Sequence, residues 1–142
     1  MITDIRIEGF KSIKELELKI SPLNILIGAN GAGKSNFIAF FHLLKALFNR
    51  NLQRYILEHG KADALLYYGS KHTEELAGEV LFAKNPAARE NNAYRFKLKP
   101  TNEGGLYLRG EGSGYEVDFN DPEGNYNISQ DLEESHIPVS NN

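Results

Sequence analysis

Residues 28 to 35, Gly-Ala-Asn-Gly-Ala-Gly-Lys-Ser, restrict this chain more than any other stretch. They match G-x-x-x-x-G-K-[ST], the phosphate-binding loop pattern. In a chain of this size the four fixed positions arise by chance roughly once in a few hundred sequences. The pattern works only between a strand and a helix. Leu23, Ile25, Leu26 and Ile27, following Pro22, form a short apolar run rich in branched side chains and predict a buried strand. After the loop, Phe37, Phe40, Phe41, Leu44, Leu47 and Phe48 recur at helical spacing and predict one apolar face, with Asn36, His42, Lys45 and Asn49 largely off it. Glycines let successive backbone N–H groups turn into one concavity, and the positive pole of the helix reinforces it. The phosphates of a nucleotide fit such a concavity.

A length of 142 residues suits about one domain with a genuine core. With 41% hydrophobic and 25% charged residues the composition reads as globular, and no run of about 18 apolar residues spans a bilayer. The N-terminus lacks the charged and apolar regions of an export signal. Zero cysteines exclude disulfides and thiolate metal sites and agree with a cytoplasmic location. The net charge of −3 is unevenly spread: residues 1 to 60 carry eight Lys/Arg against five Asp/Glu, whereas residues 101 to 142 carry Arg109 against nine acids. The N-terminal part can accept an anionic ligand; the C-terminal part repels one. No basic stripe interleaved with aromatics marks an independent nucleic-acid-binding domain.

In chain order, Ile5 and Ile7 alternate with Asp4, Arg6 and Glu8, predicting a half-buried strand that ends at Gly9. A turn at Phe10 to Ile13 leads to a second strand, Lys14 to Ile20, with Leu16, Leu18 and Ile20 toward the core. The short separation predicts antiparallel neighbours. Leu52 to Glu58 predicts a further helical turn or two, stopped by His59-Gly60, and residues 61 to 72 cannot be typed. Glu75 to Ala83, Ala93 to Lys99, Leu106 to Leu108 and Tyr115 to Phe119 then predict a β-meander separated by Asn, Pro and Gly turns. From Asn120 onward turn formers outnumber core formers, which predicts a polar linker or disordered tail over 120–142 and a nucleotide-binding lobe over 1–119.

Three stretches together resemble a known group: I-x-I-x-G-F-K-S-I at Ile5 to Ile13, the strand Glu15 to Ile20, and L-N-I-L-I-G-A-N-G-A-G-K-S-N-F at Leu23 to Phe37. They are similar to the N-terminal lobe of ABC-type ATPases, and within these to the RecF/SMC-like branch, which includes many predicted ATPases of DNA repair and bacterial defence. The specific similarity covers roughly the first 40 residues. It implies an α/β fold, a P-loop NTPase N-lobe with P-loop strand and helix plus an antiparallel β-meander. It also implies ATP and Mg²⁺ as ligands. Lys34 would reach the β- and γ-phosphates, and the Ser35 hydroxyl would be a metal ligand. Backbone amides of Gly31, Ala32, Gly33, Lys34 and Ser35 would cradle phosphate oxygens. Asn30 and Asn36 flank that cradle, Asn30 near the γ-phosphate or as a turn stabiliser. Lys11 and Ser12 lie in a turn that approaches the nucleotide in similar proteins; Lys11 is otherwise a solvated turn lysine.

Departures from the group's pattern are as informative. No apolar run followed by an acidic pair follows Ala64, so a Walker B element is missing; the signature loop and a switch histidine are missing too. Phosphoryl transfer to water needs charge stabilisation and a positioned water besides phosphate anchoring. The chain therefore reads as an N-terminal fragment that binds nucleotide without catalytic residues of its own. Its expected partners are the C-terminal lobe or a second protomer in an ATP-sandwiched dimer, with DNA reached through the parent assembly. A second reading is a non-enzymatic interaction domain that pairs with a full-length partner. A small-molecule kinase is disfavoured, because two strands precede the loop and a meander follows. Gln130 is either the metal-contacting glutamine that follows the meander in ABC-type folds or a polar tail residue. Gln53 reads as helix surface, and Glu133-Glu134 as a solvated charge run. His42, His59, His72 and His136 share no metal-ligand spacing.

Overall fold

Alternation of Ile5 and Ile7 with charged neighbours forms β1 (Ile2–Phe10), which pairs antiparallel with β2 (Ile13–Lys19), setting Ile5 opposite Leu18 and Ile7 opposite Leu16. The computed structural model describes residues 1–83, 92–114 and 129–135. Because β2 is an edge strand, Leu16 and Leu18 are only half-buried. On the other side of β1 the chain adds β3 (Leu76–Phe82), β4 (Asn92–Pro100), β5 (Leu106–Gly114) and β6 (Ser129–Leu132). The sheet has six strands in the order β2-β1-β3-β4-β5-β6, and every pairing is antiparallel. Among the described residues there is no parallel βαβ succession after Phe48, which removes the kinase reading. The predicted strand at Tyr115 to Phe119 lies outside the described residues.

One expected strand is not formed. Residues 23–27 pair with nothing among the described residues, and Leu23, Ile25 and Ile27 are 77%, 73% and 91% exposed. Branched apolar side chains favour a strand only where a sheet edge supplies hydrogen bonds and cover. The free edge of β2 lies near this segment, since Leu26 and Ile27 share a cavity with Leu16 and Leu18, but the segment does not pair with it.

The helix α1 (Lys34–Phe48) lies on the sheet through Phe40, Leu43, Leu44 and Leu47, all buried. That stripe is rotated from the predicted one. Phe37 is half-buried and Phe41 and Phe48 are partly exposed, since the helix is apolar over more of its circumference than one sheet can cover. The seat is Gly78. A Cβ there would stand 2.4 Å from the Phe96 ring and 2.8 Å from the tip of Phe40, so glycine's missing side chain admits the helix. Phe40 then meets Phe10 edge-on at 6.0 Å and stacks on Phe96 at 6.1 Å.

Two shorter helices, α2 (Leu52–Glu58) and α3 (Lys61–Leu65), close the core with Leu52, Ile56, Ala62 and Leu65. The untyped stretch after His59 is thus α3 and the turn that clamps the end of β1: Lys11 N–H donates to Leu65 O at 2.8 Å and Tyr67 N–H to Gly9 O at 3.0 Å. Within the expected tail, residues 129–135 belong to the fold. The β6 strand pairs with β5, and Ser135 is buried. Glu134 is no free surface charge: its carboxylate accepts from Leu52 N–H at 2.8 Å and Gln53 N–H at 2.9 Å, capping α2. Nor is Gln53 mere helix surface, because its amide donates to Leu106 O at 3.0 Å and Glu133 O at 2.7 Å.

The face of the sheet away from α1 carries a row of alternating charge. Glu17, Arg6, Glu79 and Arg95 stand opposite one another on β2, β1, β3 and β4. Burial of Glu79 outweighs the attraction of Arg95 and Arg6, and its carboxyl is pushed up to about 7. A proton therefore binds the native carboxyl more tightly than the unfolded one. The stabilisation it brings is full below pH 4.5 and is lost as pH rises through about 7. Glu79→Gln is expected to flatten this fall: between about pH 5 and pH 8 its urea midpoint should decline less than the wild type's, by an equivalent of about 1 to 3 kcal/mol. Gly78→Ala is expected to lower stability by about 1 to 3 kcal/mol through overpacking, measured as a lower urea midpoint with an unchanged slope.

Candidate functional site

The loop between residues 28 and 35 bends at two left-handed glycines, Gly31 with φ 87° and Gly33 with φ 93°. Between them Ala32 N–H donates to Ala29 O at 3.1 Å, so this amide serves the turn and does not point into the concavity with its neighbours. Gly33 is the N-cap of α1; no side chain caps the helix, and no acid stands in its first turn. The first-turn N–H groups and the positive pole are thus left to an external acceptor. An acidic cap would have filled this place.

Lys34 folds back across the loop. Its ammonium donates to Gly28 O and, at 2.8 Å, to Ala29 O. Asn36 Nδ2 donates to Ser12 Oγ at 2.7 Å, tying the start of α1 to the β1–β2 turn. Ser12 packs close from the other side as well, since a Cβ on Gly33 would come within 3.3 Å of its Oγ. Asn30, Gly31, Gly33, Lys34, Ser35 and Asn36 line a cavity of about 430 Å³ that holds one cation and no carboxylate. Ala32 lines an adjoining cavity of about 360 Å³, formed with Leu16, Leu18, Leu26, Ile27 and Phe37 together with Lys14, Glu15 and Lys34.

Lys11 lines neither cavity. Its backbone takes φ 51° to make the turn, and its ammonium sits 6.0 Å from the Phe10 ring. Gln130 lies on β6 opposite Gly110, at the sheet edge farthest from β2. Five strand spacings, roughly 24 Å, separate those edges. Among the described residues the histidines form no group of three. His59 stacks on Tyr55 at 4.0 Å and, with His42 and Lys45, lines a cleft of about 300 Å³; His72 is paired with Tyr68 O; His136 is outside the described residues. Among the described residues no three His, Cys, Asp or Glu side chains are grouped to hold a metal, and no helix is long and apolar enough to cross a membrane.

A buried polar cluster escaped the sequence reading. The Glu111 carboxylate accepts from Tyr94 OH at 2.7 Å and from Ser135 Oγ, and all three residues are buried. Burial, then the adjacent Glu111, push the Tyr94 hydroxyl far above its usual range and keep it a donor. Glu111 looks like a surface residue in a glycine-rich run. A register shift sets Leu98 opposite Leu108 but Lys97 opposite Gly110, and this extra residue turns Glu111 inward beside Phe96.

A glycine-rich loop leading into an uncapped helix that rests on an antiparallel sheet defines the N-terminal lobe of a P-loop NTPase. The family described as AAA ATPase domain matches residues 1–115, and the chain belongs to it. The DNA replication and repair protein RecF of Acinetobacter baylyi (strain ATCC 33305 / BD413 / ADP1) is 30% identical over 107 residues, which cover 70% of this chain and 30% of that protein. The chain thus spans about 30% of that relative's length. A solved structure from work on ATP-driven dimerization and DNA-stimulated activation of SMC ATPases superposes with a TM-score of 0.54 at 23% identity, over 75% of this chain and 67% of the other. At that identity the likeness is one of fold. The family match makes the chain an AAA ATPase domain, similar in sequence to part of RecF and in fold to an SMC ATPase.

The loop's geometry has a direct check. Gly33→Ala is expected to cost about 1 kcal/mol, because it places a side chain at a left-handed φ against Ser12; a lower denaturation midpoint measures it.

Proposed function

We propose that the loop at residues 28–35 binds a nucleoside triphosphate with Mg²⁺, ATP by preference, as the N-terminal half of an ATPase site. The observation that carries this reading is the uncapped first turn of α1, opening with Lys34 and Ser35 into a cavity free of carboxylates. The fit is chemical: an anion finds the amides of Gly31, Gly33, Lys34 and Ser35, the helix pole and one ammonium. Lys34 would exchange its two loop carbonyls for phosphate oxygens, a stronger charge-assisted pairing. Asn30 and Asn36 would border the phosphates, and Lys11 would contribute from the neighbouring turn only through a change of side-chain direction.

For Mg²⁺ the cavity supplies the Ser35 hydroxyl. One hydroxyl does not satisfy an octahedral cation, so the metal would arrive with the phosphates and waters that complete its shell. When bound, it would neutralise phosphate charge. The described residues would anchor and orient; none of them is placed to activate water, and hydrolysis by this chain alone should be negligible. Its wider role would be in a cytoplasmic ATPase of DNA repair or defence, working with a C-terminal lobe or a second protomer and, through that assembly, with DNA. The names of the RecF and SMC relatives support this role. The exposed run at residues 23–27 favours the second reading, a binding domain for a full-length partner, without excluding nucleotide.

Calorimetric titration tests the first reading. Mg-ATP should bind the wild type, weaken at least about tenfold with EDTA or in Ser35→Ala, and be lost in Lys34→Ala with an unchanged thermal midpoint. Undiminished binding by Lys34→Ala overturns it.

A further inference from the structure

The stretch after α3, which sequence pattern leaves untyped, holds a tyrosine in a conformation that bulky residues avoid. Tyr68 takes φ 55°, in the left-handed region, and Gly69 follows with φ 79°. A Cβ there crowds the backbone, so the conformation persists only where the surrounding structure enforces it. The core gains little in return, since Tyr68 is 76% exposed. A strained aromatic residue turned to solvent points to a role outside folding.

The enforcement can be followed bond by bond. Asp63 Oδ1 accepts from Ser70 N–H at 2.9 Å and from the Ser70 hydroxyl at 2.5 Å, which holds the Asp63 carboxyl below its usual range. Gly69 N–H returns to Leu66 O at 3.0 Å, Thr73 N–H to Gly69 O at 3.0 Å, and the Thr73 hydroxyl to Tyr67 O. His72 Nδ1 pairs with Tyr68 O at 3.1 Å. The Tyr67 ring then braces that of Tyr68 edge-on, with centroids 4.5 Å apart. A ring fixed in this way loses little freedom when a ligand lies on it.

The turn is also tied to the phosphate loop. A bridge between Phe10 and Leu66, with Tyr67 N–H on Gly9 O at 3.0 Å, fastens it to the end of β1. Next in the chain come Lys11 and Ser12, and Ser12 Oγ accepts from Asn36 Nδ2 at 2.7 Å. One short turn, Phe10 to Ile13, therefore joins the start of α1 on one side to the tyrosine turn on the other. A triphosphate held at residues 28–35 carries a neutral, planar base for which backbone amides and one ammonium supply no contact. An exposed aromatic face does.

We propose that the Tyr68 ring is the stacking platform for the base of the nucleotide whose phosphates residues 28–35 hold. The inference rests on that reading of the loop, and deepens it. Stacking tolerates any base, so Tyr68 would separate nucleotides from base-free polyphosphates more than one purine from another. The strain lowers stability so that the ring stands ready before the ligand arrives.

Calorimetry on the full chain tests this with two probes, Mg-ATP and Mg-tripolyphosphate, which has no base. The wild type should bind Mg-ATP at least about tenfold more tightly, Tyr68→Ala should erase that difference by weakening Mg-ATP alone, and Tyr68→Phe should keep it. In Tyr68→Trp the indole emission should respond to Mg-ATP and not to Mg-tripolyphosphate. Tyr68→Gly should melt above Tyr68→Ala, because only the left-handed backbone separates two variants that both lack the ring; the reverse order overturns the strained platform. Equal wild-type affinity for the two probes, or Mg-ATP binding undiminished in Tyr68→Ala, overturns the platform and leaves the loop standing. An equal loss of both probes in Tyr68→Ala also overturns it, by showing that the side chain acts through the fold. A wild type that binds neither probe overturns the loop, and the platform with it.

Discussion

The seating of Phe40 over Gly78 is the contact on which the remaining geometry depends. It joins β1 through Phe10, β4 through Phe96 and α1 in one aromatic group, across strands that are distant in sequence. Its effect reaches the loop. Lys34 is six residues from Phe40, or about 9 Å along the helix axis. Fixing one ring on the sheet therefore fixes where the helix begins and where its positive pole is aimed. The site is positioned from its C-terminal side by core packing, and from below by the Asn36–Ser12 bond.

Much of this was legible locally. The alternation around Ile5 and Ile7, the pairing of β1 with β2, the span of α2 and the starts of β3 and β4 follow from side-chain period and turn residues, information contained in a few neighbouring positions. The residues around the cavity are legible for the same reason, since Asn30 to Asn36 are neighbours in the chain. What was not legible depends on partners. The run at 23–27 has the composition of a strand but pairs with no strand among the described residues. The buried face of α1 is selected by the sheet from a helix that is apolar on several sides, which is why Leu43 displaces Phe41.

One further misreading and one residue the sequence left unremarked share a cause. Ser-Gln-Asp-Leu at β6 and Glu111 in β5 look polar enough for solvent, yet one completes the sheet and the other faces the core. In both, backbone pairing overrides side-chain character. A single register shift between β4 and β5 reverses the facing of every following residue, and the inward carboxylate is then satisfied by Tyr94 and Ser135. Composition cannot report a shift of one residue.

The cap on α2 carries a mechanical consequence. Glu134 grips the first N–H groups of α2, and α2 follows α1 after a tight turn in which Asn51 N–H returns to Ala46 O. The polypeptide leaving Ser135 is thereby tethered, through one carboxylate and one short turn, to the rod whose opposite end starts the phosphate loop. The far edge of the sheet and the glycine-rich loop are thereby joined through one helix, with Phe40 seated between them.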